Sequence, residues 1–310
     1  MRILVTGGAG QLGTDVCAEL NKRDIDYVCV DIVGNKTDSP SYGLEPSPCL
    51  VKALDITDAG AVNAFFNEHK PQSVIHCAAY TAVDKAEDEP ELCFKVNAEG
   101  TENIARACKE INAELIYIST DYVFEGNGDE PFETDAVKAP ISTYGKSKLT
   151  GEDVVKKYLE KFYIVRISWV FGDHGNNFVK TMMMLASRGD GPSASQTNSP
   201  PISLNVVSDQ IGSPTYTPDL AVLLCDMVLS GKYGEYHATN EGYCSWAEFA
   251  AEIMRQSGST CEINPIPSEL YPTKAVRPKN SRLSKSSLDK AGFNRLPQWQ
   301  DALKRFIGGT

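Results

Sequence analysis

A short apolar run, Ile3-Leu4-Val5-Thr6, leads directly into Gly7-Gly8-Ala9-Gly10-Gln11-Leu12-Gly13, and no other feature narrows the fold as much. Glycines at 7, 10 and 13 permit a tight turn, let backbone N–H groups approach a pyrophosphate, and let a following helix pack closely on the strand. A glycine triplet alone is weak evidence. Here it follows an N-terminal strand and opens a helical stretch, Gln11 to Lys22, before a second β-branched run at 27–31. That context defines a βαβ unit with a dinucleotide site, with Gly7, Gly10, Gln11 and Leu12 as candidate cofactor contacts.

The alternation continues down the chain. The pattern predicts a strand at 52–54, a helix near 58–68, a strand at 73–76, one long helix through 91–110, and a strand at 114–119. A helix at 144–160 and a strand at 163–168 follow. Strands and helices alternating at this pace predict an α/β fold, a Rossmann-type doubly wound parallel sheet. After Trp169 the regularity fades: helices are expected at 176–187, 217–229, 245–256 and 299–307, and strands at 202–207 and 235–239. Residues 188–201, rich in Gly, Ser, Pro and Asn, read as a loop. The segment 217–239 is expected to return to the main sheet. The division that follows assigns 1–169 with 208–240 to a dinucleotide-binding domain and 170–207 with 241–310 to a smaller substrate-binding lobe.

Charge and composition exclude several functions. A formal net charge of −11, from 30 Lys plus Arg against 41 Asp plus Glu, repels nucleic-acid phosphates. Helix N-termini can still hold a small phosphorylated ligand. No apolar run near the N-terminus has signal-peptide or membrane-spanning length, so no membrane partner is expected and a cytoplasmic location is. The nine cysteines and four histidines are scattered, with no Cys-x-x-Cys pair and no histidines at ligand spacing, so no metal is assigned.

Strand ends supply the remaining candidates. Asp31 closes the second strand, 18 residues after Gly13, where a carboxylate can hydrogen-bond the adenosine ribose hydroxyls and repel a 2′-phosphate. The cofactor is therefore expected to be NADH or NADPH, with NADH favoured. Asp55 and Ile56 fall at a strand end suited to the adenine. His76 reads as a strand-end histidine, and the small residues Ala78 and Ala79, with Tyr80, suit a backbone running beside the cofactor. Tyr144 and Lys148, four apart on a helix, share a face and can reach one pocket, whereas Lys146 faces away. An ammonium beside the phenol is expected to lower its pKa toward that of a working general acid. This pair comes one helix after Ser119-Thr120-Asp121-Tyr122, whose hydroxyls end a strand.

With these motifs in order, the chain resembles the extended short-chain dehydrogenase/reductases. Within them it is similar to the dTDP-4-dehydrorhamnose reductase family. The residues that carry the likeness are Ala78 to Glu87, Ser119 to Phe124, Arg166 to Phe171, Asp209 to Thr215, and Arg277-Pro278 through Leu283. The resemblance spans nearly the whole chain. It implies a catalytic trio of Thr120, Tyr144 and Lys148, with Tyr144 protonating and Thr120 holding the C4 oxygen of dTDP-4-dehydro-L-rhamnose. Lys148 would also grip the nicotinamide ribose. It further implies that Thr81, Val83, Thr120, Asp121, Tyr122 and Trp169 contact the substrate, and it puts Asn97 on the cofactor side, on the helix supporting the active-site strand. Pairing into homodimers is common in the family.

The stretch Arg188 to Pro201 is longer than the family's usual link, which bears on sugar specificity. Two other readings use the same fold. One is a reductase, epimerase or dehydratase for another nucleotide sugar. Dehydratases place a carboxylate pair after the strand-end Thr, and Asp121-Tyr122 supplies only half of it. The other is a non-catalytic NAD(P)-binding regulatory subunit, resembling the methionine adenosyltransferase beta subunit. The intact trio argues against it.

Overall fold

The computed structural model describes residues 1–34, 50–187 and 203–309. The first half alternates as the sequence predicts: β1 (Ile3–Thr6), α1 (Gln11–Lys22), β2 (Tyr27–Asp31), β3 (Val51–Ala53), α2 (Ala59–His69) and β4 (Ser73–His76). Next come α3 (Val83–Ala86), α4 (Pro90–Phe94), α5 (Thr101–Ile111), β5 (Glu114–Thr120), α6 (Thr143–Tyr158) and β6 (Phe162–Ile167). Seven strands form the main sheet in the order β11-β6-β5-β4-β1-β2-β3, every pair parallel, where β11 is Gly234–His237. Such a sheet must be covered on both faces, and its strands read accordingly as nearly continuous apolar runs. Ile3, Val5, Ile75 and Ile116 pack under α1 and a later helix on one face; Leu4, Val74, Leu115 and Ile164 pack under α2, α5 and α6 on the other.

The helix expected over 91–110 is not one α-helix. Between α4 and α5, Lys95–Gly100 winds as a π-helix. The wider turn admits close packing against α6, where the Asn97 carbonyl sits so near Gly151 that a Cβ there would come within 2.7 Å of it. Periodicity could not show this, because one extra residue per turn barely disturbs an amphipathic pattern.

Beyond β6 the chain makes β7 (Val170–Phe171), α7 (Phe178–Ser187), β8 (Ser203–Val207), β9 (Ile211–Gly212), β10 (Thr215–Tyr216) and α8 (Thr217–Val228) before β11. The expected return of 217–239 to the main sheet is what occurs, with β11 beside β6. Then follow β12 (Cys244–Ser245), α9 (Trp246–Ser257), β13 (Glu262–Ile266), α10 (Ser286–Ala291) and α11 (Trp299–Gly308). Strand β13, which carries a proline and alternates poorly, was not foreseen; it pairs in parallel with β8 from Ser203↔Glu262 onward. A separate aromatic core, including Phe171, Phe249 and Trp299, holds α7, α9 and α11 together. The loop reading of 188–201 lies outside the described residues.

Candidate active site

The order of β1 and β4 in the sheet marks where the chain reverses direction, and ligands bind at the carboxyl ends of strands at such a point. A cavity of about 630 Å³ opens there, walled by residues from the ends of β1, β2, β4, β5 and β6. Gly7, Gly10, Gln11, Leu12, Asp31, Asp55, Ile56, Ala78, Ala79 and Tyr80 all line it, as do Thr81, Val83, Thr120, Asp121, Tyr122, Tyr144, Lys148 and Trp169. One chamber thus brings together every candidate except Asn97.

The glycine turn fits a dinucleotide. Gly7 has φ +67°, and a Cβ there would come within 2.6 Å of the Ala78 nitrogen; one on Gly13 would meet the Gly7 oxygen at 2.1 Å. Helix α1 begins without a side-chain cap and with no acidic residue in its first turn, so its N–H groups stay open to an anion. Asp31 is fixed at the end of β2 by the Ala9 N–H at 3.1 Å and its neighbour Ile32 N–H at 2.8 Å. Across the turn, Asn177 donates to the Gln11 side-chain oxygen at 3.0 Å, while Asn176 lines the cavity. This Asn-Asn contribution was missed by sequence reasoning, although paired asparagines before a helix were the available signal.

Asn97 does not line the cavity but stands behind its wall. It is buried, and its amide holds Tyr80 at both ends, accepting from the Tyr80 N–H at 2.8 Å and donating to its carbonyl at 3.0 Å. It also donates to Ser147 on α6 at 2.9 Å. The amide therefore shapes the cavity wall and bonds the backbone rather than a ligand. His76 is likewise internal: Thr6 lies 2.6 Å from Nδ1 and Thr101 3.2 Å from Nε2, and burial pulls its pKa down to about 3.

Tyr144 and Lys148 project from one face of α6, which Ser142 caps by accepting from the Gly145 N–H. Lys146 is exposed, as its spacing requires. The Tyr144 ring packs edge-on to Tyr122 at 5.5 Å, and its phenol is within reach of the Thr120 hydroxyl. The expected depression of the Tyr144 pKa is not found. Burial and then the nearby Asp121 carboxylate push it well above the usual range. Burial instead pulls Lys148 down to about 7, opposed by the Glu152 carboxylate. Its ammonium lies over the Tyr117 ring at 4.1 Å. The spacing rule gave the shared face, and burial of the phenol outweighs the effect expected of an ammonium on that face.

Asp121 is buried and raised to about 6 by burial, although Ser281 and Thr120 both donate to it. Ser119 does not face the ligand as a free hydroxyl; it donates to Glu152 at 2.6 Å. Glu152 in turn receives both guanidinium arms of Arg166, at 2.8 and 2.6 Å, with both side chains fully buried. These two charges were absent from the sequence-derived site. Glu152 sits four residues after Lys148, which was the available signal. Among the described residues no group of three or more His, Cys, Asp or Glu could hold a metal ion, and no helix is long and apolar enough to cross a membrane.

Residues 1–309 match the family described as "RmlD substrate binding domain". The spore coat polysaccharide biosynthesis protein SpsK of Bacillus subtilis is 36% identical over 99% of this chain and 96% of its own. The dTDP-4-dehydrorhamnose reductase of Mycolicibacterium smegmatis is 39% identical over 100% of this chain and 87% of its own. A solved dTDP-4-dehydrorhamnose reductase from Bacillus anthracis, in complex with NADP, superposes with a TM-score of 0.87 at 39% identity, covering 100% of this chain and 99% of that one.

Proposed function

This chain belongs to the RmlD substrate binding domain family, and from that premise we propose that it is an NAD(P)H-dependent reductase of a nucleotide-linked keto-sugar. The substrate is dTDP-4-dehydro-L-rhamnose and the product dTDP-L-rhamnose. The observation that carries the reading is the convergence of Thr120, Tyr144 and Lys148 on one cavity with an uncapped, glycine-opened helix N-terminus.

When bound, the nicotinamide supplies the hydride that adds to C4. The chain's own residues do the rest. Thr120 turns the hydroxyl proton that it otherwise gives Asp121 toward the C4 oxygen and holds it, and Tyr144, whose raised pKa keeps the phenol protonated at neutral pH, delivers the proton that turns that oxygen into a hydroxyl. Lys148, in its protonated form, compensates the phenolate left behind. Gly7, Gly10 and the first turn of α1 cradle the pyrophosphate, and Asp31 takes the adenosine ribose. Thr81, Val83, Tyr122 and Trp169 enclose the sugar. The location proposed is the cytoplasm.

The test is incubation of the purified protein with dTDP-4-dehydro-L-rhamnose and NADH or NADPH, with the product identified by NMR. Formation of dTDP-L-rhamnose with stoichiometric cofactor oxidation supports the assignment. A folded, cofactor-binding protein that leaves the keto-sugar unchanged contradicts it.

A further inference from the structure

Two features around the 209–215 segment have no part in the hydride or proton transfer: Gly212 itself, and the conformation of Trp169, which that segment packs against. Trp169 has φ +50°, a left-handed conformation that a bulky residue adopts only when its surroundings enforce it. The enforcement is visible. The Trp169 carbonyl accepts from the Thr215 N–H at 3.1 Å, and the preceding Ser168 carbonyl accepts from the Thr215 hydroxyl at 2.6 Å. A Cβ on Gly212 would come within 2.8 Å of the indole Cε2 and 2.9 Å of Cζ2, so only glycine leaves room for the ring.

The indole is then covered by a second tryptophan. Trp246 stacks on Trp169 with ring centroids 3.8 Å apart and planes 16° from parallel. Trp246 is itself anchored as the first residue of α9. Its N-cap Ser245 forms a capping box with Glu248, and Cys244-Ser245 pairs antiparallel with Ile211-Gly212. Phe178 of α7 packs against it at 4.6 Å. Trp246 does not line the cavity, while Trp169 does.

We propose that Trp246 is a positioning residue for the sugar: by stacking on Trp169 it fixes the orientation of the indole that walls the substrate chamber, so that capture of the 6-deoxy-hexose ring, and not the hydride or proton step, depends on it. The inference rests on the proposed function, because Trp169 matters to a sugar only if one binds there. A merely structural stack would lower stability and leave substrate affinity alone. Only a positioning role separates KM from kcat.

The experiment compares wild type, Trp246→Leu and Trp246→Phe in steady-state reduction of dTDP-4-dehydro-L-rhamnose. Near-UV circular dichroism checks the tryptophan pair, and cofactor titration checks the fold. The expected result for Trp246→Leu is a KM raised about tenfold with kcat within threefold of wild type, an unchanged cofactor Kd, and loss of the coupled indole signal. Trp246→Phe, which restores a ring, should recover most of the KM. If the Leu variant does not fold, Gly212→Ala carries the test, because its methyl group displaces the same indole from another side and should raise KM likewise. An unchanged KM in folded Trp246→Leu or Gly212→Ala, beside an active wild type, overturns this inference alone. An inactive wild type overturns it together with the functional reading.

Discussion

Asp31 has both carboxylate oxygens engaged by backbone N–H groups at the edge of the cavity, so its negative charge is held in place, on the proposed reading beside the adenosine ribose. Discrimination should follow from charge: kcat/KM for NADH should exceed that for NADPH, and Asp31→Ser should move the ratio toward NADPH by about tenfold, roughly the 1.4 kcal/mol expected from relieving one partly screened repulsion. The solved Bacillus anthracis relative is bound to NADP, so a kinetic comparison of the two cofactors is informative whichever way it falls. Gly13 makes a blunter prediction. Its substitution by Ala places a methyl 2.1 Å from the Gly7 oxygen, which forces the turn open; cofactor Kd measured by fluorescence titration should rise at least tenfold. Both residues were legible in the sequence because their roles depend on backbone position relative to a strand end, which local pattern reveals. Asn97 was only half legible: a helix could be read there, but its partner Tyr80 lies 17 residues away on the far side of α3 and α4, and no periodicity encodes that contact.

At the scale of elements, α6 presents Tyr144, Lys148 and Glu152 on one stripe at successive i, i+4 positions, and the proposed proton transfer uses the first two. The first two could be read from spacing. Glu152 could not be assigned a role, because its partners come from β5, as Ser119, and from β6, as Arg166, and strand adjacency is a tertiary fact. Glu152 opposes the effect of burial on Lys148, while Tyr117, His76, Cys77 and Cys93 are the other groups close to that ammonium or in contact with its neighbours. The sign follows directly. Removing the carboxylate charge takes away the largest influence opposing desolvation, lowers the Lys148 pKa from about 7, and makes the protonated form scarcer at a given pH. In Glu152→Gln the alkaline fall of kcat should therefore begin at lower pH than in wild type, by about one unit, with KM for the sugar little changed. A pH–rate profile superposable on wild type would show that the Glu152–Arg166 pair serves folding alone.

For the molecule as a whole, the main parallel sheet and the aromatic lobe meet around one chamber, and each contributes walls the other lacks. The sheet was readable from the sequence because parallel strands buried on both faces are short apolar runs separated by helices. In the lobe the helices at 176–187, 245–256 and 299–307 and the strand at 202–207 could be read, but the other strands and their pairing could not, because those strands are two to five residues long and pair across distant segments, as β8 does with β13. Because the cofactor site is built on the folded sheet, a dinucleotide that binds the native state and not the unfolded chain stabilises it by mass action, by about 2.7 kcal/mol at a hundredfold excess over Kd. The melting temperature should rise by about 5 °C with saturating NADH or NADPH in wild type. The Gly13→Ala variant should show a much smaller rise at the same concentration.

In the proposed keto-sugar reduction Tyr144 donates the proton, and single-variant kinetics test that role most directly. Reduction of dTDP-4-dehydro-L-rhamnose should be followed by cofactor absorbance in wild type and Tyr144→Phe. The substitution removes one hydroxyl and leaves the ring contact with Tyr122 in place. The account predicts a kcat lowered about 10²- to 10⁴-fold, the span of general acid catalysis, with cofactor affinity retained. A Tyr144→Phe enzyme turning over within a few fold of wild type would contradict it.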